Sequence, residues 1–463
     1  MRGIWSTDEI RAAERQVMSG RPAGTLMARA ARAIAVNAVE LLGFTYGARV
    51  LLLVGSGDNG ADALWAGAEL ARRGVAVEAV AASDKIDQPG LAAFTQAGGR
   101  LVTLADAHES DLIIDGLVGI GATPPLREPM RPLVAYAEGR PVLAVDLPSG
   151  VDPNTGAVDG PAIKATRTVT MGGYKTGLMV GAGHELAGEI RLIDIGITDA
   201  LPEPALRQLD GVQVKQPGPD DDKYTRGVVG VVAGSAQYPG AALLCTGSAR
   251  LGGVGAVRYA GHAHAEVVRA HPEILVTATP AEAGRVQAWV IGPGLGSADD
   301  ALESLHHVLG QDVPVIVDAD GLNLLAEHRG WLTDRAAPTV LTPHDREFER
   351  LFGPVGPDRV TAARRAAADV GATVLLKGNA TIVVDPDGTG YVNPTGHPSL
   401  ATAGSGDVLS GLLGSLLATG ITPALAAAQA AYLHGLAAQR AELDGPVVAS
   451  DLIRGLSEVL TSA

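Results

Sequence analysis

Short apolar runs that end in glycine or aspartate recur through the first half of this chain. Residues 49–54 lead into a glycine, whereas residues 112–115 and 142–146 end in aspartate. Runs that are apolar throughout are typical of parallel strands buried on both faces. Residues 61–73 instead have apolar side chains at helical spacing and a glycine stop. This alternation predicts right-handed βαβ units and a Rossmann-like, doubly wound α/β sheet.

The second half repeats the alternation after a segment of different composition. Residues 201–222 are rich in proline, glycine and aspartate and have little periodicity, which predicts a linker and domains at residues 1–211 and 212–463. Strand-like runs then resume, and two of them, residues 381–384 and 390–392, flank an Asp-Pro-Asp-Gly turn that predicts a hairpin. Because no short repeat relates the halves, we expect two unrelated α/β domains.

Composition narrows the classes of function. The chain has 463 residues, with 36 basic and 51 acidic side chains and a formal net charge of −15. A surface this acidic repels nucleic-acid phosphates and anionic lipids. We therefore expect no nucleic acid and no membrane among its partners. The apolar stretches are too short to span a bilayer, and the N-terminus lacks a signal-peptide core. The one cysteine, Cys245, excludes an internal disulfide and a cysteine-based zinc site, which fits a reducing cytoplasm.

A glycine-rich turn in the C-terminal half precedes a predicted helix. Gly404-Ser405-Gly406-Asp407 is followed by apolar residues at helical spacing as far as Gly420. The unpaired N–H groups and the positive dipole end of a helix N-terminus bind phosphate. Since a carboxylate repels that phosphate, we interpret Asp407 as a general base or an activator of a substrate hydroxyl. The alternative is an acid that only favours the first helical turn.

Four other strand ends carry residues suited to a nucleotide site. Lys377 ends one predicted strand, His344 follows a second, two acids follow a third, and a Gly-Pro-Gly-Leu-Gly loop follows a fourth. Loops after parallel strands converge on one edge of an open α/β sheet. We therefore expect one site, although His344 is also compatible with a structural role at its strand end.

These stretches resemble the ribokinase-like superfamily and, within it, the ADP-dependent NAD(P)H-hydrate dehydratases. The resemblance extends over residues 222–462 and rests on Lys223-Tyr224, Ala233-Gly234-Ser235, Tyr238-Pro239-Gly240-Ala241, Gly292-Pro293-Gly294-Leu295-Gly296, Asp318-Ala319-Asp320-Gly321-Leu322-Asn323, Thr342-Pro343-His344-Asp345-Arg346-Glu347, Lys377-Gly378 and Gly404-Ser405-Gly406-Asp407. It implies a ribokinase-like α/β domain that uses ADP, with Mg²⁺, to activate the C6 hydroxyl of hydrated NADH or NADPH. Loss of that hydroxyl regenerates the dihydronicotinamide and yields AMP and phosphate.

The resemblance also assigns roles to residues. Asp407 is the implied catalytic base, and the hydrated nucleotide is implied to contact Gly294 or Gly296, His344 and Asp407. The implied ADP contacts are Lys377, Gly378, Asn379, Ala380, Thr381, Gly404, Ser405 and Gly406. The chain differs from the family at Asp222, where His is frequent, and at Gly253-Val254-Gly255, where Gly-Ala-Gly is frequent.

The N-terminal half carries a second glycine-rich motif. Gly55-Ser56-Gly57-Asp58-Asn59-Gly60 fits the dinucleotide fingerprint G-x-G-x-x-G. We interpret residues 58–62 as a ligand loop. Its acids Asp58 and Asp62 would both confront a pyrophosphate, so the loop suits a hydroxyl-bearing ligand or a cation better. Parallel strands would bring Asn59, Asp115 and Ser149 to one sheet edge, as an oxygen cage for a monovalent cation. The alternative is that these acids only cap loops.

This half resembles the NAD(P)H-hydrate epimerases over about residues 5–199, including Leu26-Met27, residues 54–62, Asp115-Gly116-Leu117-Val118-Gly119, Val145-Asp146-Leu147-Pro148-Ser149-Gly150, residues 170–175 and residues 194–197. The resemblance implies interconversion of the R and S hydrates, with Asp146 as the acid or base at C6 and K⁺ on Asn59, Asp115 and Ser149. The implied substrate contacts are Asp58, Asn59, Gly60, Ala61, Asp62, Gly119, Ile120, Gly121, Ala122, Thr123, Pro124, Pro125 and Asp146. The chain differs from the family at Glu14, Ala28 and Ala61.

Two other functions remain open at this stage. The C-terminal domain could be a small-molecule kinase with a regulatory N-terminal domain, and the N-terminal domain could be a non-catalytic binding or oligomerisation module. In either case we expect a homo-oligomer. The histidines at positions 262, 264, 306 and 307 lack a third ligand at metal spacing, so we expect them on the surface.

Overall fold

In the computed structural model the described residues are 1–22, 24–121, 124–214, 217–333 and 335–462. They form two compact α/β units. One is Gly3–Ala205, and the other comprises Met1–Arg2 together with the chain from Leu206 onward. The predicted domain boundary, between residues 211 and 212, lies slightly further along the chain.

The N-terminal unit is built on parallel strands. Its strands are β1 (Arg2–Trp5), β2 (Arg49–Val54), β3 (Ala76–Ala81), β4 (Arg100–Leu101), β5 (Leu112–Gly116), β6 (Val142–Val145), β7 (Arg167–Met171), β8 (Tyr174–Lys175) and β9 (Glu189–Ile193). Its helices are α1 (Thr7–Met18), α2 (Thr25–Leu42), α3 (Asp58–Arg72), α4 (Gln88–Gln96), α5 (Met130–Ala137), α6 (Thr176–Met179) and α7 (Gly181–Leu186).

The main sheet of this unit is doubly wound, as predicted. Its strands lie in the order β4-β3-β2-β5-β6-β7-β9, and neighbouring strands are parallel. Side chains of β2 alternate between two cores: Leu52 packs with the apolar faces of α2 and α3, while Leu51 and Leu53 pack with α5. Both faces of the sheet are therefore covered, which explains why its strands are apolar throughout.

Helix α3 begins earlier than the sequence predicts. Residues 58–62 were expected to form a ligand loop, with the helix starting at Ala61, but they are the first part of α3. Asp58 favours the positive end of the helix dipole, and the N–H groups of Gly60 and Ala61 both donate to the Gly57 carbonyl. Gly60 is required here, because a Cβ at this position would lie 2.2 Å from the carbonyl oxygen of Gly55. The loop prediction was therefore wrong.

The C-terminal unit has longer helices around a second sheet. Its strands are β10 (Leu206–Gln208), β11 (Val228–Val232), β12 (Ala256–Ala260), β13 (Leu275–Thr277), β14 (Ala288–Ile291), β15 (Val315–Val317), β16 (Thr339–Leu341), β17 (Thr373–Leu376), β18 (Ile382–Val384) and β19 (Gly390–Val392). Its helices are α8 (Pro239–Ala249), α9 (His264–Ala270), α10 (Asp299–Leu309), α11 (Asp320–Glu327), α12 (Asp345–Phe352), α13 (Arg359–Val370), α14 (Ser405–Ala418), α15 (Pro423–Glu442) and α16 (Ala449–Ser462).

Seven parallel strands of this unit lie in the order β13-β12-β11-β14-β15-β16-β17. The hairpin β18–β19 continues the sheet in antiparallel pairing, as the sequence predicts, and β10 pairs in parallel with β19. Strand order reverses between β11 and β14, which is where ligands bind in open α/β sheets. None of the helices in the described part of the chain combines the length and apolar character that a bilayer crossing requires.

Candidate active sites

A cavity of about 590 Å³ opens at the carboxyl edge of the N-terminal sheet. Helices α1, α2 and α3 and the segment after β5 line it, so its walls come from parts of the chain far apart in sequence. Of the predicted substrate residues, the described ones that line the cavity are Asp58, Asn59, Asp62, Gly119, Ile120, Gly121 and Asp146. This location fits a site at a topological switch point, between β2 and β5.

Four other predicted contacts are placed differently. Gly60 and Ala61 lie on the side of α3 that packs into the unit, and Ala61 is only 4% exposed. Neither they nor Pro124 and Pro125 belong to the described lining of the cavity. Ala122 and Thr123 fall outside the described residues. The methyl group of Ala61 therefore does not enter the cavity.

Asp146 directly follows β6 and has an unusual backbone. Its φ of 68° lies in the left-handed region, which is strained for a residue other than glycine and is found mostly at functional sites. Its Oδ1 accepts hydrogen bonds from Thr170 Oγ1 at 3.2 Å and from the Met171 N–H at 3.0 Å, and it forms an ion pair with the buried Lys175. Among the described residues no donor reaches Oδ2, so that oxygen is free to face a ligand.

Three more carboxyl groups surround Asp146. Burial, together with the negative charges of Asp146, Asp58 and Glu14, raises the pKa of Asp62 to about 8. Burial also raises the pKa of Glu14, against the lowering effect of Lys175. Glu14 comes from α1 and was missed as a site residue, as was Lys175, because only the tertiary fold brings them to the cavity.

The three residues predicted to hold K⁺ belong to one hydrogen-bond network. Asp115 is wholly buried; its Oδ2 accepts from the Ser149 N–H at 2.8 Å and its Oδ1 from Ser149 Oγ at 2.7 Å. Val118 donates its N–H to Ser149 Oγ at 3.2 Å and accepts from the Asn59 amide at 3.0 Å. Burial raises the pKa of Asp115 to about 6, although the bonds from Ser149 lower it. No described basic side chain forms an ion pair with Asp115.

In the C-terminal unit, the predicted loops do meet at one sheet edge. The Gly-Pro-Gly-Leu-Gly loop, Asp318, His344 and Lys377 follow β14, β15, β16 and β17, which are successive parallel neighbours. Asp320 accepts a hydrogen bond from the Gly296 N–H at 2.8 Å and so ties two of these loops together. The N–H of Lys377 donates to the Pro343 carbonyl at 2.9 Å, which joins the other two.

The glycine-rich turn is the start of α14, as predicted. Gly404 is the N-cap with a φ of 87°, a left-handed conformation that favours glycine. Ser405 donates its N–H to Thr402 and its hydroxyl to Leu400, so its donors are already used. In the described chain the N–H groups of Gly406 and of the residue after it have no acceptor, which leaves them for an anion.

A buried ion pair lies beside this turn. Asp318 is 1% exposed; its Oδ1 accepts from Lys377 Nζ at 2.5 Å and its Oδ2 from Ser410 Oγ at 2.7 Å. A Cβ on Gly406 would lie 3.5 Å from Lys377 Nζ, so the lysine reaches the anion-binding turn. Burial alone would lower the pKa of Lys377, but the carboxylates of Asp318 and Glu347 raise it, and the ammonium stays charged.

Asp407 is the carboxyl group of this site that is left without a partner. Burial and the charges of Asp318 and Asp320 raise its pKa to about 7, against the lowering effect of Lys377. No hydrogen bond from the described residues reaches its side chain. A partly buried carboxylate that titrates near neutrality beside an anion hole is suited to act as a general base.

His344 has the structural role that the sequence left open, and its contact with a nucleotide stays a prediction. Its Nδ1 accepts from the N–H groups of Arg346 and Glu347 at 3.1 and 3.3 Å, so it caps α12. The Glu347 carboxylate accepts the His344 N–H at 2.8 Å and completes a capping box. The imidazole is 50% exposed, and its Nε2 lies 3.4 Å from the Glu347 carboxylate.

The predicted ADP residues after β17 form a compact turn. Thr381 Oγ1 donates to the Gly378 carbonyl at 3.0 Å, and both Ala380 and Thr381 are buried. Arg359, which sequence reasoning missed, donates to the Lys377 carbonyl at 2.7 Å and so brings a second cation to this turn. Sequence reasoning also missed His434 of α15, which is buried beside the Ser405 backbone and whose pKa burial lowers to about 4.

A second cavity, of about 610 Å³, lies past the carboxyl ends of β11, β12 and β13. Leu295 of the Gly-Pro-Gly-Leu-Gly loop lines it, and His262 pairs with Asp300 at its wall with 2.6 Å between Nε2 and Oδ2. His262, His264, His306 and His307 are exposed, as predicted.

Fold and sites together define a two-unit enzyme class: a doubly wound unit with an acid-lined cavity, followed by a ribokinase-like unit in which a glycine-rich turn begins a buried helix. Family comparisons agree with both halves. Residues 23–177 match the model for the YjeF-related protein N-terminus, and residues 229–459 match the model for NAD(P)H-hydrate dehydratase.

Curated relatives match nearly the whole chain. The bifunctional NAD(P)H-hydrate repair enzyme Nnr of Mycobacterium tuberculosis (strain ATCC 25618 / H37Rv) is 51% identical over 440 residues, which is 92% of each protein. The enzyme of the same name from Mycobacterium leprae (strain TN) is 50% identical over 461 residues, 96% of each. A ribokinase-like superfamily protein from Enterococcus faecalis V583 superposes with a TM-score of 0.51 and 26% identity, covering 57% of this chain and 98% of that one. This chain belongs to the family of bifunctional NAD(P)H-hydrate repair enzymes.

Proposed function

We propose that this protein repairs hydrated NADH and NADPH in two steps. The N-terminal unit interconverts the R and S hydrates at C6, and the C-terminal unit uses ADP to dehydrate the S hydrate to NADH or NADPH, releasing AMP and phosphate. The observation that carries the proposal is the position of Asp407, unpaired and titrating near neutrality, on the phosphate-binding first turn of α14.

The dehydratase half needs a base and an anion site that share one turn. Asp407 takes the proton of the substrate hydroxyl, while the N–H groups at the start of α14 hold the phosphoryl group that this hydroxyl attacks. Phosphorylation turns a poor leaving group into a good one, so that loss of phosphate from C6 and of a proton from C5 restores the double bond. Lys377 balances the negative charge of the phosphoryl group, and Asp318 with Ser410 keeps the lysine in place.

ADP and Mg²⁺ fit this arrangement. Lys377, Arg359 and the turn of residues 377–381 present cations and backbone groups to the nucleotide phosphates. Across the described residues no three His, Cys, Asp or Glu side chains converge as a metal-binding group. Mg²⁺ would therefore be held chiefly by the phosphate oxygens, where it neutralises charge that develops during transfer. Gly294, Gly296 and His344 would contact the hydrated nucleotide.

The epimerase half uses the acid-lined cavity. Asp146 offers a free Oδ2 while Lys175 holds its other oxygen, so it is an oriented carboxylate within reach of a ligand at C6. A cation at Asn59, Asp115 and Ser149 fits the network there, because a wholly buried carboxylate without a basic partner is stabilised by a bound positive charge. K⁺ would supply that charge and fix the segment after β5 that lines the cavity.

The whole proposal is tested by incubating the purified protein with hydrated NADH and ADP. We expect dihydronicotinamide absorbance to return in proportion to the total of both epimers, with AMP and phosphate as the other products. A stable phosphorylated nucleotide without that return would instead indicate a small-molecule kinase. Recovery that stops once the S hydrate is used would indicate a non-catalytic N-terminal unit.

Separate measurements test the cation and the assembly. Replacing K⁺ by a bulky organic cation should slow consumption of the R hydrate and leave that of the S hydrate unchanged. We also propose a homo-oligomer acting in the cytoplasm, where the buried thiol of Cys245 stays reduced. Light scattering on the eluted protein tests the oligomer, since a mass of one chain would contradict it.

A further inference from the structure

The N-terminal cavity holds more negative than positive groups. Its carboxyl groups are those of Glu14, Asp58, Asp62 and Asp146, whereas its basic lining residues are Arg11 and Arg21, and the buried Lys175 pairs with Asp146. Four carboxylates in one cavity repel each other strongly, so at least one of them holds a proton near neutral pH. Which one holds it follows from the contacts that each of them makes.

Asp146 is the carboxyl group of this set that pairs with a buried cation. Lys175, which is 1% exposed, forms an ion pair with it, and Thr170 and Met171 donate to the same oxygen. Opposite charge and donated hydrogen bonds both favour the carboxylate form.

Asp62 is in the opposite situation. In the described part of the chain no donor or cation pairs with its side chain, and three carboxyl groups face it: Asp58 from its own helix, Glu14 from α1 and Asp146 from the end of β6. The pKa of about 8 that burial and these charges produce means that Asp62 carries its proton at neutral pH. Burial raises the pKa of Glu14 as well, but the positive charges of Lys175 and Arg11 act against that rise, and no such charge acts on Asp62.

We propose that Asp62 is the acid that delivers a proton to the departing C6 hydroxyl, while Asp146 is the base that accepts one from the incoming water. This inference rests on the proposed epimerase activity and adds a second catalytic residue to it. Two carboxyl groups whose environments favour opposite protonation states are the usual means of combining acid and base chemistry in one site.

Epimerisation by these two residues exchanges one water for another at C6. The Asp62 proton moves to the C6 hydroxyl, the C6–O bond breaks with its electron pair on oxygen, and water leaves while the lone pair of the ring nitrogen forms a C6=N bond. The ring is then a cation, which the surrounding carboxylates stabilise. A water adds to the other face of C6 and gives its proton to Asp146. One water leaves and one enters, and solvent in the open cavity returns both carboxyl groups to their starting forms.

The test follows epimerisation of the isolated R hydrate by the full-length protein without ADP, as a function of pH. For the wild type we expect the rate to fall above about pH 8, where Asp62 loses its proton. The Asp62→Asn variant should lose about 100-fold or more of the rate, because general acid catalysis contributes at least that much. Its rate should also no longer fall at high pH, a decrease that we call the alkaline limb. Asp62→Glu should restore part of the rate and part of the alkaline limb.

Two further variants separate an acid from a structural residue. Glu14→Gln removes a charge that raises the pKa of Asp62, so the alkaline limb should move to lower pH. Glu69→Gln removes a carboxylate from the same helix outside the cavity and should leave the limb in place. ADP-dependent dehydration of the S hydrate, which does not use this cavity, reports that each variant is folded.

These measurements distinguish the role of Asp62 from the epimerase activity itself. An Asp62→Asn protein that keeps the wild-type rate and its limb near pH 8 overturns the role of Asp62 and leaves the epimerase proposal intact. A wild-type protein that epimerises no faster than buffer overturns the epimerase proposal itself.

Discussion

Each unit of the protein places a buried aspartate–lysine ion pair at the carboxyl edge of its parallel sheet, with a further carboxyl group on an adjacent helix. In the N-terminal unit the pair is Asp146–Lys175, and in the C-terminal unit it is Asp318–Lys377. The helix carboxyl groups are Asp62 of α3 and Asp407 of α14, and burial raises the pKa of both, to about 8 and about 7.

The two pairs differ in what they leave free. Asp146 keeps one oxygen open to the cavity, so the paired residue itself can react. Asp318 has both oxygens occupied, by Lys377 and Ser410, so it can only position the lysine. The difference teaches that an ion pair alone does not identify a catalytic carboxylate. A carboxylate whose second oxygen is free can react with a ligand, whereas one whose second oxygen is occupied can only hold its partner in place.

The largest effect that would sharpen this contrast is expected from Asp407→Asn. The variant keeps the size of the side chain and removes the base, so ADP-dependent dehydration of the S hydrate should fall by about 100-fold to 10,000-fold. Epimerisation of the R hydrate should stay at the wild-type rate, which serves as the control. Dehydration within tenfold of the wild type would show that Asp407 is not the base.

Asp146→Asn is the matching change in the other unit. Asparagine tolerates the positive φ at this position, so the backbone can persist while the base is lost. We expect about a 100-fold loss of epimerisation and unchanged dehydration of the S hydrate. The measurement is the fraction of a mixed hydrate preparation left unconsumed with excess ADP. Full consumption of both epimers would contradict the assignment.

A change of pH should alter the rate of dehydration less than the two aspartate substitutions do. Because Asp407 must be ionised to act as a base, kcat/KM for the S hydrate should fall below about pH 7, roughly tenfold per unit. Lys377 lowers the pKa of Asp407, so Lys377→Met should move this limb to higher pH as well as raise KM for ADP. A limb that stays in place in the variant would mean that another group titrates.

The smallest effect is expected from Ala61→Gly, which restores the residue that the family usually has. Since Ala61 is buried and its side chain does not line the cavity, epimerisation should change by less than about threefold, and helix propensity predicts a loss of about 1 kcal/mol in the free energy of unfolding. The neighbouring Gly60→Ala is the contrasting change, because its Cβ would meet the Gly55 carbonyl at 2.2 Å. Calorimetry and the R-hydrate assay distinguish the two.

Sequence patterns predicted much of this contrast. Apolar runs that end in aspartate located Asp115 and Asp146, and helical periodicity after a glycine-rich turn located Asp407 at the start of α14. These features are local, so a pattern in the chain can carry them. The hairpin β18–β19 was predicted for the same reason.

What the sequence could not predict depends on packing between distant segments. The motif at residues 55–60 suggested a loop, but α3 already begins at Asp58, and Gly60 packs there against the Gly55 carbonyl. Glu14 enters the N-terminal site from α1, and Ser410 supports Asp318 from within an apolar helix. Neither the periodicity nor the composition of the sequence indicates these contacts.

Helix α14 has a consequence for how the C-terminal site behaves before its ligands arrive. Every residue from Val408 to Ala418 is buried, so the helix has no solvent-facing side along which it could open. In native-state hydrogen exchange its amides should belong to the slowest cooperative group, exchanging only when the unit unfolds globally. The anion-binding N–H groups are attached to the end of that slowly exchanging segment. Phosphate would therefore meet donors already in place, and its binding should alter exchange rates only in the first turn.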